Sequence, residues 1–166
     1  ADYFATYVER DLRQLIEHLR AGQEDKSCVL VAHDWGGAIA WTFAALYPRY
    51  VNKLVIINAP HTVPFARALA HDPAQQAASA YMNFFRLDKA ERVLRENGFE
   101  RLLKMFNATA SGRCALNGDD IPRYLAAWSQ PGALACALKL YRASPLHPPT
   151  ADDPGAAALK LDPAAL

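Results

Sequence analysis

Cysteine is scarce in this sequence, and what there is cannot form a framework: Cys28, Cys114 and Cys136 are widely separated, odd in number and make no C-x-x-C pair. That spacing indicates neither a disulfide scaffold nor a zinc knuckle, and it fits a reducing, cytoplasmic setting. An excess of charge of one sign is also missing. With 18 Lys and Arg against 17 Asp and Glu, and no aromatic residues interleaved with a basic stripe, there is no footprint for a phosphate backbone, so nucleic acid is not expected as a partner. Long apolar runs are absent too. The most apolar stretch, Val29 to Tyr47, is interrupted by His33, Asp34 and two glycines, which argues against a membrane span. The chain opens in a polar, amphipathic stretch rather than a basic segment followed by an apolar one, so a signal peptide is not expected at this end. No metal-ligand or cofactor motif stands out, and neither group is expected.

What is present is the composition of a soluble globular protein, with 52% hydrophobic and 21% charged residues, enough to bury a core. Apolar residues at Tyr3, Phe4, Tyr7, Val8, Leu12, Leu15, Ile16 and Leu19 follow the rhythm of an amphipathic helix over 3–19. The run Cys28 to Ala32 is continuously apolar and predicts a strand buried on both faces. A second helix, apolar nearly all round, runs from Gly36 to Tyr47 and stops before Pro48, and a second buried strand follows at Lys53 to Ile57. Helix, strand, helix, strand in this order predicts a parallel α/β sheet.

From Thr62 to about Leu146 the sequence carries helical periodicities, caps and turn signals without a convincing strand. Helices are predicted around Pro64 to Ala70, Ala74 to Phe85, Lys89 to Glu96, Phe99 to Asn107, Asp120 to Trp128 and Gly132 to Tyr141, with breaks at Gly98, Gly112, Gly118 and Pro131. The chain therefore divides into part of an α/β core over 1–61, a helical insertion over 62–146, and a tail over 147–166 whose Pro, Ala and Asp content suggests a linker.

The segment that carries chemistry is Val29-Leu30-Val31-Ala32-His33-Asp34-Trp35-Gly36-Gly37, a strand running through a tight turn into a helix with the pattern small-x-nucleophile-x-small-small. Such an elbow holds its central residue in a strained conformation, and its neighbours must be small because a Cβ there would collide with the crossing helix. Ala32, Gly36 and Gly37 meet that demand. The elbow aims Asp34 out of the sheet over a helix N-terminus, whose free amides favour an anion, so Asp34 is expected to be ionised. The bland alternative is an aspartate that merely caps the helix, but a cap needs no small neighbours.

These residues resemble the α/β-hydrolase family, and within it the epoxide hydrolases, through His33-Asp34-Trp35-Gly36-Gly37, Tyr47-Pro48 and Asn58-Ala59-Pro60-His61. The likeness continues through Tyr81-Met82-Asn83-Phe84-Phe85 and through Ser129-Gln130-Pro131-Gly132-Ala133 leading to Tyr141-Arg142, which look like the family's two lid-tyrosine segments. The resemblance implies an α/β-hydrolase fold with an inserted helical lid. It also implies a small apolar epoxide as substrate with water, attacked by Asp34 to give an ester that water then hydrolyses, while Tyr81 and Tyr141 donate hydrogen bonds to the epoxide oxygen. The Trp35 backbone N–H would supply half of an oxyanion hole and its ring a pocket wall. His33, which precedes the nucleophile, His61 after the next strand, and Phe84 and Phe85 complete the set expected around the pocket. Without the resemblance, either tyrosine would be read as a core aromatic.

The family's triad takes its acid and histidine from later strands, and none is found here, so the chain reads as an internal piece of a protein about twice as long. Such a piece is expected to form the ester at best without turning over, and to expose a bare apolar sheet face. His18, His71 and His147 are read as structural. The rival readings are a haloalkane dehalogenase, whose halide leaving group needs N–H donors and no tyrosines, and a non-catalytic hydrolase-fold binding protein.

Overall fold

A computed structural model describes residues 3–108 and 116–160; the expected break at Gly112, Cys114 and the last six residues of the tail lie outside the described residues. The amphipathic N-terminal segment forms α1 (Tyr3–Leu19), the apolar run forms β1 (Cys28–His33), and the glycine-led segment forms α2 (Trp35–Leu46). β2 (Val51–Ile57) returns alongside β1 in parallel, with Val29 opposite Lys53 and His33 opposite Ile57. Parallel neighbours need a crossover, and α2 supplies it.

Burial of the sheet is one-sided. Ile16 of α1, Phe43 of α2 and Tyr50 form a buried cluster against which Leu12, Cys28, Leu30 and Val51 pack, so both helices cover the same face. Strand residues alternate across a sheet, and those on the opposite face are open: Val29 and Val31 are 58% and 60% exposed, Val55 and Ile57 45% and 46%. The prediction of strands buried on both faces is corrected here. It needs cover on two sides, and the described residues supply one.

Beyond Pro60 the regular elements among the described residues are helical: α3 (Thr62–His71), α4 (Pro73–Ala78), α5 (Ala80–Arg86), α6 (Ala90–Ala108), α7 (Asp120–Trp128) and α8 (Ala133–Ala143). The helix predicted over Ala74 to Phe85 is two helices, because the chain turns at buried Ser79 (φ −97°, ψ 7°), whose hydroxyl accepts a 2.8 Å hydrogen bond from Gln75 Nε2. α6 is interrupted where a break was predicted: Asn97, Gly98 and Phe99 have φ of 52°, 65° and 65°. Asp72 caps α4 by accepting from the Ala74 amide at 2.9 Å, a role for which its short carboxylate suits it.

Two cores hold this region. Phe85, Leu94, Phe99, Leu102, Leu134 and Leu138 bring α5, α6 and α8 together. Ala66, Leu69, Met82 and Ala156 join α3, α5 and the tail. Residues 147–160, read as a linker from composition, thus carry buried positions, among them His147 at 2% exposure. No helix among the described residues is long and apolar enough to cross a membrane.

Candidate active site

The sharpest local feature is the backbone of Asp34, at φ 53° and ψ −123° between the end of β1 and the first turn of α2. A non-glycine residue there costs roughly 1–3 kcal/mol and persists only where its surroundings over-determine it. The surroundings are visible. The Asp34 N–H donates to the Ile57 carbonyl at 3.2 Å, tying the turn to the end of β2, and the Asp34 carbonyl accepts from the Ala38 N–H at 3.1 Å, opening the helix. The Asp34 side chain makes no capping hydrogen bond, so the carboxylate is not consumed by the helix end as the capping alternative requires.

The small residues of the elbow separate into two kinds. A Cβ on Gly37 would run into the Ala59 Cβ and press on Ile56 Cγ2 at 3.3 Å, whereas one on Gly36 would meet nothing within 4 Å. Close approach of α2 to the end of β2 therefore demands glycine at 37 but not at 36. The Trp41 indole N–H donates to the Ala59 carbonyl at 3.2 Å, fastening the loop after β2 to α2. Asn58 opens that loop at φ 50°, a conformation that asparagine tolerates better than most residues.

Asp34 opens on a cavity of about 300 Å³. Trp35 and Ala38 join it from α2, Asn58, Ala59 and Pro60 from the loop after β2, and Thr62, Phe65, Gln75, Ala78, Ser79, Tyr81, Met82, Tyr141 and Leu146 from the helical region. The two tyrosines come from α5 and α8, sixty residues apart in sequence, yet their ring centroids lie 6.1 Å apart. Phe85 wedges against both, 5.5 Å from Tyr81 and 4.8 Å from Tyr141, and the Trp35 ring meets Tyr141 edge-on at 5.2 Å.

The electrostatics of the pair are those of protonated phenols. Burial pushes the Tyr141 hydroxyl up to about 12, opposed by a side-chain hydrogen bond with Trp35 and reinforced by Tyr81 and the Asp34 carboxylate. Burial, then the Asp34 charge, raises Tyr81 as well. An indole N–H can only donate, so Tyr141 is the acceptor from Trp35 and its own O–H is left to be aimed elsewhere.

Asp34, Trp35, Tyr81 and Tyr141 are thus brought together, while four other residues expected around the pocket are not part of its lining. His33 is exposed at the end of β1. His61 accepts from the Val63 N–H at 3.3 Å, capping α3, and its ring lies 5.1 Å from Trp41. Phe84 packs against the α5–α6–α8 core with the Arg101 guanidinium 4.0 Å from its ring, and Phe85 is buried in that core behind the tyrosines. None of the five histidines lines the cavity. Sequence reasoning missed Gln75, Ser79 and Asn58; the strand-end asparagine was the one signal that could have flagged a polar residue there. Among the described residues no group of three or more His, Cys, Asp or Glu could hold a metal ion.

A strained strand-to-helix aspartate and a helix packed on the next strand's end through glycine agree with the comparison against family models. Residues 2–137 match the alpha/beta hydrolase fold, and the chain belongs to that family. It is 41% identical over 121 residues to the AB hydrolase superfamily protein YfhM of Bacillus subtilis, covering 72% of this chain and 42% of that protein. To human Epoxide hydrolase 4 it is 37% identical over 137 residues, covering 80% and 37%. The crystal structure of an epoxide hydrolase from Bacillus megaterium in complex with an inhibitor superposes with a TM-score of 0.75 at 35% identity, over 90% of this chain and 50% of that one. The chain therefore spans less than half the length of the two curated relatives, and half of the crystallised enzyme.

Proposed function

We propose that this chain supplies the nucleophile and the acids of an epoxide hydrolase, with Asp34 as the attacking carboxylate and Tyr81 and Tyr141 as the groups that protonate the opening ring. The observation that carries the reading is the shared cavity: one strained aspartate and two neutral phenols face the same 300 Å³ space. In the first step an Asp34 carboxylate oxygen bonds to an epoxide carbon, the carbon–oxygen bond of the ring breaks, and a phenol proton moves to the departing oxygen. The raised tyrosines stay protonated through neutral pH and so remain able to donate. In the second step water adds to the ester carbonyl, releasing the diol and restoring the carboxylate, while the proton that hydrolysis sets free returns to the phenolate. The backbone N–H of Trp35, next after the nucleophile, suits half of an oxyanion hole for that step.

No histidine of the chain lines the cavity, so in this reading the base that activates water comes from residues beyond it, in keeping with relatives about twice as long. The dehalogenase alternative is less well served. A departing halide needs N–H donors, whereas the Trp35 indole N–H is engaged with the Tyr141 hydroxyl. The test is to assay the longer protein with styrene oxide and with a haloalkane, beside Asp34→Ala and the Tyr81→Phe, Tyr141→Phe double variant. Diol formation should fall below detection in the first and by about 100-fold or more in the second, the scale of general acid catalysis. Halide release that survives the tyrosine changes would instead make the protein a dehalogenase.

A further inference from the structure

The two cavity tyrosines sit on different helices, and what fixes those helices to one another lies outside the cavity. Arg86 is the last residue of α5, five residues beyond Tyr81, and Arg142 follows Tyr141 in the final turn of α8. One terminal nitrogen of Arg86 donates to the carbonyls of Tyr141 at 2.7 Å, Arg142 at 3.3 Å and Ser144 at 2.8 Å. Its other terminal nitrogen reaches the Asp153 carboxylate at 3.2 Å. Arg142 answers in the opposite direction, donating to the Leu87 carbonyl, just past the end of α5, at 3.1 Å. The last carbonyls of a helix lack intrahelical donors and carry the negative end of its dipole, so a guanidinium fork is well matched to them. Asp153 is held as an anion, its carboxyl lowered first by the Gly155 amide and also by His147 and Arg86.

Resting on the epoxide reading above, we propose that Arg86 and Arg142 are positioning residues: each caps the other's helix and so fixes the separation of the Tyr81 and Tyr141 hydroxyls over Asp34. One of the Arg86 bonds is to the carbonyl of Tyr141 itself. Neither arginine lines the cavity, so both act through the tyrosines. The leverage is geometric, because misplacing a proton donor by about 1 Å can cost on the order of 100-fold in rate.

The test uses the longer protein in single turnover with styrene oxide, following ester formation on Asp34 and ester hydrolysis separately. Arg86→Gln should slow ester formation about tenfold and leave ester hydrolysis within about twofold, because the phenols serve only ring opening. Arg86→Lys, which keeps the charge and loses the fork, should fall between, at about threefold. In a Tyr141→Phe background Arg86→Gln should add less than about twofold, the non-additivity of residues that act as a unit. Equal slowing of both steps, or the same tenfold loss without Tyr141, would overturn the clamp. If Arg86→Gln does not fold, Arg142→Gln, which removes a single bond, carries the same test with an expected loss of about threefold. Should the Tyr81→Phe, Tyr141→Phe double variant leave ester formation unchanged, the epoxide reading falls and the clamp with it. A loss in the tyrosine variant with none in the arginine variants sinks only the clamp.

Discussion

The strand–elbow–strand region and the helical region above it are stabilised in different ways. The helical region closes on itself: Leu94 and Leu138 are fully or almost fully buried within a cluster shared by three helices, and a second cluster ties α3 to the tail. The elbow region has one small buried cluster, a sheet with an open apolar face, and a backbone outlier at Asp34. The residue with the most chemical promise therefore sits where the chain is least self-sufficient. Its strain is held by local ties, namely the Asp34–Ile57 hydrogen bond, the Gly37–Ala59 approach and the Trp41–Ala59 bond. The aromatic groups facing it are set by a separate core.

If that contrast is right, the largest stability losses belong to the helical region. Leu94→Ala removes a fully buried side chain from the three-helix cluster, and should lower the unfolding free energy by about 2–5 kcal/mol in denaturant melts. A loss under about 1 kcal/mol would mean that the cluster collapses around the gap and that the region is not the firmer of the two. Next comes Gly37→Ala, which forces a methyl against Ala59 and Ile56 and should cost about 1–3 kcal/mol. Gly36→Ala, facing open space, is its control and should not share that steric cost. Equal losses at both positions would remove the claim that close packing at one glycine sustains the elbow.

Much of this was legible in the sequence where one physical rule dominated. α1 and α7 occupy the ranges their periodicity marked, Tyr3–Leu19 and Asp120–Trp128, because amphipathic spacing turns Leu12 and Ile16 of α1, and Leu125 and Trp128 of α7, toward the neighbouring apolar clusters. The elbow was legible from the pattern of small residues around Asp34. The break at Ser79 was not, since neither glycine nor proline marks it; the turn depends on the tertiary setting of a buried serine held by Gln75. Nor was the packed tail, where alanine, glycine and histidine bury by fitting a neighbour: a Cβ on Gly155 would press on the His147 ring. The Arg86 clamp was invisible because it joins residues 55 to 58 positions apart through backbone carbonyls, which leave no side-chain signature.

The smallest expected effect bears most directly on the open sheet face. Val31 is 60% exposed, and threonine shares its β-branched shape and strand preference. In this chain Val31→Thr should change stability by no more than about 0.5 kcal/mol, because its hydroxyl is solvated and no packing is lost. In a longer protein that covers this face, the same hydroxyl would be buried without an assured partner, costing about 1–3 kcal/mol. Denaturant midpoints for the variant in both contexts give the difference directly. A cost confined to the longer protein would identify the face as interior, and would explain why the one-sided region tolerates a strained aspartate: its remaining support comes from outside these residues. No cost in either context would mean that the local ties around Gly37 and Ile57 sustain the elbow alone.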